Sequence, residues 1–288
     1  MQNNSLSTRR YDIDWLRAII VLLVLVHHAM PVFIADPSAI VYAKEPHVAS
    51  HLFSVLTSFN RQFQMEILFL FAGFAAFYSL KTRTSGIYVK ERISRLLIPY
   101  IAGTVTIVPI MTYFTALMQG DAPSLWQHYT GFFRMDPANF EGLTGTYTPA
   151  HLWFILYLFL LSLATLPLFQ LMRRKMPEIP VNPLWLLLLA LPLAAMDWLN
   201  VSGSKSPLVF LVLMIYGFVM ASDERYQAVI DKYFPLFLAL AVLIQTTNNY
   251  LPYGERNLLL YNLGRWCWIL SICGIGHKLL NRNSPLLK

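Results

Sequence analysis

The residues of this chain that could do chemistry sit where charge is costly. The first long apolar segment holds Asp14-Trp15-Leu16-Arg17, then an apolar run to Val26, then His27-His28. Arg17 and His28 are eleven positions apart, which on a helix is three turns and roughly 16 Å of rise. A second apolar segment carries Glu66, and a later one opens with His151. Ionisable groups inside a membrane span are expensive, so each is a candidate for function. A histidine near neutral pKa suits removal of a proton from a hydroxyl nucleophile, and a carboxylate beside it would orient the ring and stabilise its cation. His28 and Glu66 are therefore the candidate acid–base pair. A second set is cationic. Arg92 and Arg95 are three apart, so on a helix they share a face, and guanidinium groups grip phosphate oxygens through paired donors. With Arg17 they would make a site for a phosphorylated molecule. Taken singly, these residues have ordinary explanations. Asp14 and Arg17 can form a local ion pair, Arg17 can snorkel to headgroups, and a membrane histidine can be a hydrogen-bonded structural group. The conjunction is stronger, because bystanders would not favour a common depth.

The elements that must position these groups are membrane helices. Of 288 residues, 56% are hydrophobic and 13% charged, and apolar stretches of this length require lipid as solvent. The chain reads as all-α, a polytopic integral membrane bundle formed by one domain over residues 1–288. Eight segments are long enough to cross, at about 20 residues each: 13–35, 58–80, 95–118, 151–172, 183–200, 207–222, 233–250 and 258–279. Proline and glycine in the connections break them. With the N-terminus cytoplasmic, 16 of the 22 lysines and arginines fall on the inner side. That asymmetry supports this orientation in a cell inner (plasma) membrane, and it accounts for the net charge of +7 without nucleic acid. Arg17, Arg92 and Arg95 then lie near the inner face, and His28, Glu66 and His151 in the outer half. Residues 119–150 read as an extracytoplasmic loop packed on the membrane surface. No cleaved signal peptide is expected. Cys267 and Cys273 are six apart in one segment, too far to pair, and read as reduced thiols. His27, His28 and Glu66 do not suit one metal ion, since adjacent helical residues point about 100° apart, so no metal is expected. No Walker A loop, Rossmann glycine pattern or Gly-x-Ser-x-Gly elbow occurs.

Several stretches, taken in order, resemble the membrane-bound acyltransferase 3 family. Tyr11 to Arg17 with His28 is similar to its opening, in which an arginine, ten residues and a histidine share the first span. Arg92 and Arg95 followed by Leu-Leu-Ile-Pro match its Arg-x-x-Arg mark. Phe69-Leu70-Phe71-Ala72-Gly73-Phe74 looks like its Phe-Phe-x-x-Ser-Gly-Phe stretch with Ala72 in place of serine. His151-Leu152-Trp153-Phe154 looks like its His-Leu-Trp-Phe motif. The nearest branch is the one containing glucan biosynthesis protein C. The resemblance covers about residues 9–160. It implies an acyl-CoA donor from the cytoplasm and transfer of an acetyl, succinyl or similar group to a hydroxyl of an extracytoplasmic, carbohydrate acceptor. It implies His28 as the base, Arg17, Arg92 and Arg95 as donor-binding residues, and His151, Trp153 and Asp14 as substrate-binding residues. Family members usually have about ten spans, so the chain reads as C-terminally shortened. The rival readings are a transporter or flippase, whose substrate path would also need intramembrane charge, and a truncated inactive relative.

Overall fold

The computed structural model describes residues 10–30, 50–118, 120, 123–135, 146–174, 176, 180–200, 205–249 and 257–282. Among these, every regular element is helical: α1 (Tyr11–Ala29), α2 (Ser50–Asn60), α3 (Gln64–Thr82), α4 (Ser85–Arg92), α5 (Ile98–Met118), α6 (Leu125–Phe132), α7 (Trp153–Ala164), α8 (Leu166–Arg174), α9 (Pro183–Leu188), α10 (Ala190–Trp198), α11 (Pro207–Ser222), α12 (Glu224–Asn249) and α13 (Leu258–Leu280). A wide turn, Ile93–Leu97, joins α4 to α5, and a tight one, Ala150–Leu152, opens α7.

The protein is an all-α integral membrane protein. Four helical stretches are long and apolar enough to cross a bilayer: Leu52–Thr82, Ser85–Met118, Glu224–Thr247 and Leu258–Leu280. A fifth is formed if Ala150–Ala164 and Leu166–Arg174, bent by 44°, count as one. The sequence suggested eight. The difference lies in three segments. Pro183–Trp198 and Pro207–Ser222 are shorter apolar helices. In α1, Asp12, Asp14 and Arg17 crowd the first two turns, so its hydrocarbon-compatible stretch starts only after Arg17.

The chain forms two compact units, Met1–Phe77 with Arg174–Lys288, and Tyr78–Arg173. The core of the first is α13, whose buried residues run from Asn262 to Gly276 around its whole circumference. Its Trp266 is fully buried and donates Nε1–H to the Leu186 carbonyl at 2.6 Å. Helices α3 and α11 cross almost backbone to backbone. A Cβ on Gly73 would come within 2.0 Å of the Met214 carbonyl oxygen, and one on Gly217 within 1.9 Å of the Leu70 oxygen. Lipid tails are as apolar as leucine, so helices in a bilayer associate through such close van der Waals approach. Phe69 stacks on Phe210 (4.4 Å) and Phe77 meets Phe218 edge-on (5.4 Å) along the same seam.

The second unit is built around α4, the wide turn, α5 and α7. Thr84 caps α4, and Arg83 pairs with Glu91 along it. Gln170 Nε2 donates to Ser85 Oγ at 2.5 Å, tying α8 to the start of α4. Pro109 lies inside α5, where it cannot donate to the preceding turn. Thr112 sits one turn on, with its hydroxyl shared among the carbonyls of Val108 and Pro109 and His128 Nε2 at 2.9 Å. That last contact anchors α6, a short helix begun by a Ser124–Gln127 capping box. Tyr100 and Tyr147 also share a hydroxyl–hydroxyl hydrogen bond.

Candidate functional site

In the first unit, α1 presents both sequence-marked residues. Asp14 and Arg17 form the local ion pair that their spacing allows, at 3.9 Å. Arg17 also reaches α3: its Nη2 donates to the Phe71 carbonyl at 2.5 Å, and its guanidinium lies 5.9 Å from the Phe71 ring centre. Both residues stay partly exposed, with 36% of the Arg17 side chain and 29% of the Asp14 side chain accessible. Three turns further on, the two histidines part. His27 is buried and His28 exposed, their rings edge-on at 5.5 Å. His28 Nδ1 lies 2.7 Å from the Val24 carbonyl. A carbonyl only accepts, so this contact selects the tautomer with hydrogen on Nδ1 and makes Nε2 the basic nitrogen.

Glu66 opens α3 and is buried. The sequence suggested it as the orienter of His28; the structure gives it a cationic partner instead. Arg265 Nε lies 3.6 Å from Glu66, and Arg265 Nη1 lies 3.9 Å from Asp197 at the end of α10. Asn262 closes the cluster, donating to Asp197 (2.9 Å) and accepting from Arg265 (3.2 Å), and the Tyr261 ring covers the guanidinium at 4.6 Å. Burying a charge this deeply is tolerable only with opposite charge and hydrogen bonds around it. Arg265, Asp197 and Asn262 were missed by sequence reasoning, which read Arg265 as one outer-side charge among six. The available signal was their place in apolar segments, with Asn262 and Arg265 three apart on one helix face.

The first unit carries a second polar chain, also unanticipated. Arg10 binds Asp12 through two hydrogen bonds (2.8 and 2.7 Å) and Gln227 through a third (2.7 Å). Gln227 donates to Asp231 at 2.7 Å, and Asp231 meets His277 Nδ1 at 2.8 Å. It ties the start of α1 to α12 and α13. A small cleft beside it is lined by Arg10, Asp12, Leu16, Phe71, Gln227 and Cys273. Cys267 and Cys273 are both free and buried.

In the second unit, Arg92 and Arg95 bracket the first residues of the wide turn. Arg92 is half-buried with its guanidinium 4.7 Å from the ring centre of fully buried Tyr88, and its Nε hydrogen-bonds to nothing among the described residues. Arg95 is exposed. The helical expectation of one shared face meets a turn closed by hydrogen bonds five residues apart, and the two side chains enter different surroundings. Such wide turns are rare and concentrate at functional sites. His151 is exposed at the start of α7, and Trp153 packs edge-on against Phe154 (6.2 Å) and Tyr157 (5.5 Å). Before them Ala150 adopts φ +43°, a left-handed conformation that costs a residue with a Cβ about 1–2 kcal/mol. That conformation turns the chain from the Thr148-Pro149 segment into α7. Among the described residues, no three His, Cys, Asp or Glu side chains gather as a metal site.

Compared with known families, residues 10–287 match the model of the acyltransferase domain that defines the acyltransferase 3 family. No curated protein and no solved structure matches the chain.

Proposed function

The chain belongs to the acyltransferase 3 family, a membrane acyltransferase of groups other than aminoacyl groups, and from that premise we propose that it takes an acyl group from a cytoplasmic acyl-CoA and esterifies a hydroxyl of an extracytoplasmic carbohydrate. The alcohol oxygen forms the new bond to the acyl carbon, and the carbon–sulfur bond to CoA breaks. The hydroxyl proton passes through His28 Nε2 to the departing thiolate. Arg17, Arg92 and Arg95 are our assignments for the donor, Glu66 for the carboxylate that supports the base, and His151, Trp153 and Asp14 for substrate contacts. We place the protein in the inner membrane with its N-terminus cytoplasmic, close to the branch of glucan biosynthesis protein C.

The observation that carries this reading is the His28 tautomer. A backbone carbonyl at Nδ1 leaves a basic Nε2 on the very histidine that stands eleven positions after Arg17. Turnover of acyl-CoA by the purified protein tests it. His28→Ala should lower hydrolysis or transfer by about 10²- to 10⁴-fold, the range of a lost general base. Undiminished turnover removes His28 from the mechanism. Arg92→Ala/Arg95→Ala should abolish binding of acyl-CoA; retained binding removes both arginines from the donor site.

A further inference from the structure

Within the first unit, a group of buried polar atoms around the junction of α2 and α3 lacks hydrogen-bond partners. Thr57, Asn60 and Gln64 follow one another at helical spacing and are 7%, 3% and 5% exposed. Helix α13 is brought to this junction by Trp268, whose ring centre lies 4.9 Å from Phe59 and 6.3 Å from Phe63. Helix α1 arrives from the other direction, with Thr57 Oγ1 donating to Met30 Sδ at 3.5 Å and His27 within electrostatic reach of Arg61. His27, Gln64 and Trp268 are each at least nine-tenths buried. Yet His27 Nδ1, Gln64 Oε1 and Trp268 Nε1 hydrogen-bond to nothing among the described residues. Buried polar atoms are nearly always satisfied, so three at one junction call for a common cause.

Their chemistry narrows what would satisfy them. Trp268 Nε1 only donates, Gln64 Oε1 only accepts, and His27 Nδ1 does either according to its tautomer. A carboxylate or phosphate group cannot donate to Gln64, and an ammonium group cannot accept from Trp268. A set of hydroxyl groups does both. Phe59, Phe63 and Trp268 supply apolar ring faces of the kind that cover the carbon face of a sugar. His27 is the immediate neighbour of His28, with the two rings 5.5 Å apart.

We propose that His27, Gln64 and Trp268 form a subsite for a neutral, hydroxyl-rich ligand of the sugar class, which presents one hydroxyl to His28. Its role as an acceptor subsite rests on the acyl-transfer reading above; the binding of a sugar there does not. The test uses the purified full chain in a detergent without a sugar headgroup. It is titrated with methyl α-glucoside, methyl β-glucoside and a linear glucose oligosaccharide, read by tryptophan fluorescence and thermal shift. At least one of these should bind saturably. Gln64→Leu and Trp268→Phe should each weaken it about tenfold, the effect of one lost buried hydrogen bond. Trp268→Phe keeps an aromatic ring and decides the matter if Gln64→Leu does not fold. Absence of saturable binding by all three sugars overturns the subsite. So does wild-type affinity in a folded variant, which would mean that water alone satisfies these atoms. Acyl-CoA hydrolysis by the wild type and His28→Ala is measured alongside. His28-dependent hydrolysis without sugar binding sinks the subsite alone, and sugar binding with His28-independent hydrolysis sinks the acyl-transfer reading alone.

Discussion

At the scale of single residues, the most consequential side chain is Arg265. One guanidinium sits between two carboxylates, Glu66 and Asp197, and is 8% exposed. Removing one partner of a buried ion pair leaves an uncompensated charge and costs about 3–5 kcal/mol. Arg265→Met is therefore expected to lower the melting temperature sharply, and adding Glu66→Gln in that background should recover part of the loss. A double-mutant cycle on the purified protein measures this coupling, and strict additivity would show that the pair does not interact. His128 offers a pH-dependent counterpart outside the spans. Burial holds its imidazole below the ordinary histidine range. The folded state thus prefers the neutral ring more than the unfolded chain does. Its contribution is complete above the unfolded pKa of about 6.5 and is lost as pH falls through and below that value. The melting temperature should drop between pH 7.5 and 5 more in the wild type than in His128→Asn, as followed by differential scanning fluorimetry. The residue types at the marked positions were legible from the sequence: Arg17, His28, Glu66, Arg92 and Arg95 all lie in or beside apolar helices. Their partners were not, because an ion pair such as Glu66 with Arg265 joins positions 199 apart, and spacing along one helix says nothing of such pairs.

At the scale of elements, the α3–α11 crossing sets the tolerance of the first unit. Gly73 belongs to a stretch that the sequence marked as a family motif, and the structure gives that glycine a packing reason. A methyl group there meets backbone of the facing helix, which cannot rotate aside as a side chain would. Gly73→Ala is expected to force the helices apart at a cost of about 1–3 kcal/mol or more, seen as lower yield of folded protein by size-exclusion chromatography and a lower melting temperature. Gly86→Ala, where a Cβ would meet open space, serves as the control and should leave both unchanged. Helices as such were readable from apolar length. Their breaks were less so. The wide turn at Ile93–Leu97 falls inside a stretch with good helical periodicity, and the bend between α7 and α8 falls in a run of leucines, so in neither place did composition announce an interruption.

At the scale of the whole molecule, the apolar composition fixed the class, and lipid-exposed leucine, isoleucine and phenylalanine along α1 and α5 are consistent with it. The count of spans was harder. A charge-bearing α1 and two helices of fewer than eighteen residues look equivalent to full spans in a hydropathy reading, because that reading sees neither where a helix ends nor how deep a charge lies. The distribution of lysine and arginine predicts a cytoplasmic N-terminus. A reporter active only in the cytoplasm, fused ahead of Met1, should be active, and one fused within residues 119–124 should be silent; the opposite pattern would invert the assignment. One feature of the second unit carries a further implication for length variation. The turn at Ile93–Leu97 stores an extra position that a regular helix would lack. Deleting any one of its five residues lets α4 run into α5 without a break, and everything downstream swivels by roughly 100°. Thr112 would then face away from His128, so α6 would come loose from its anchor while every remaining side chain kept its identity. In this part of the protein, a missing residue is a sharper insult than a changed one.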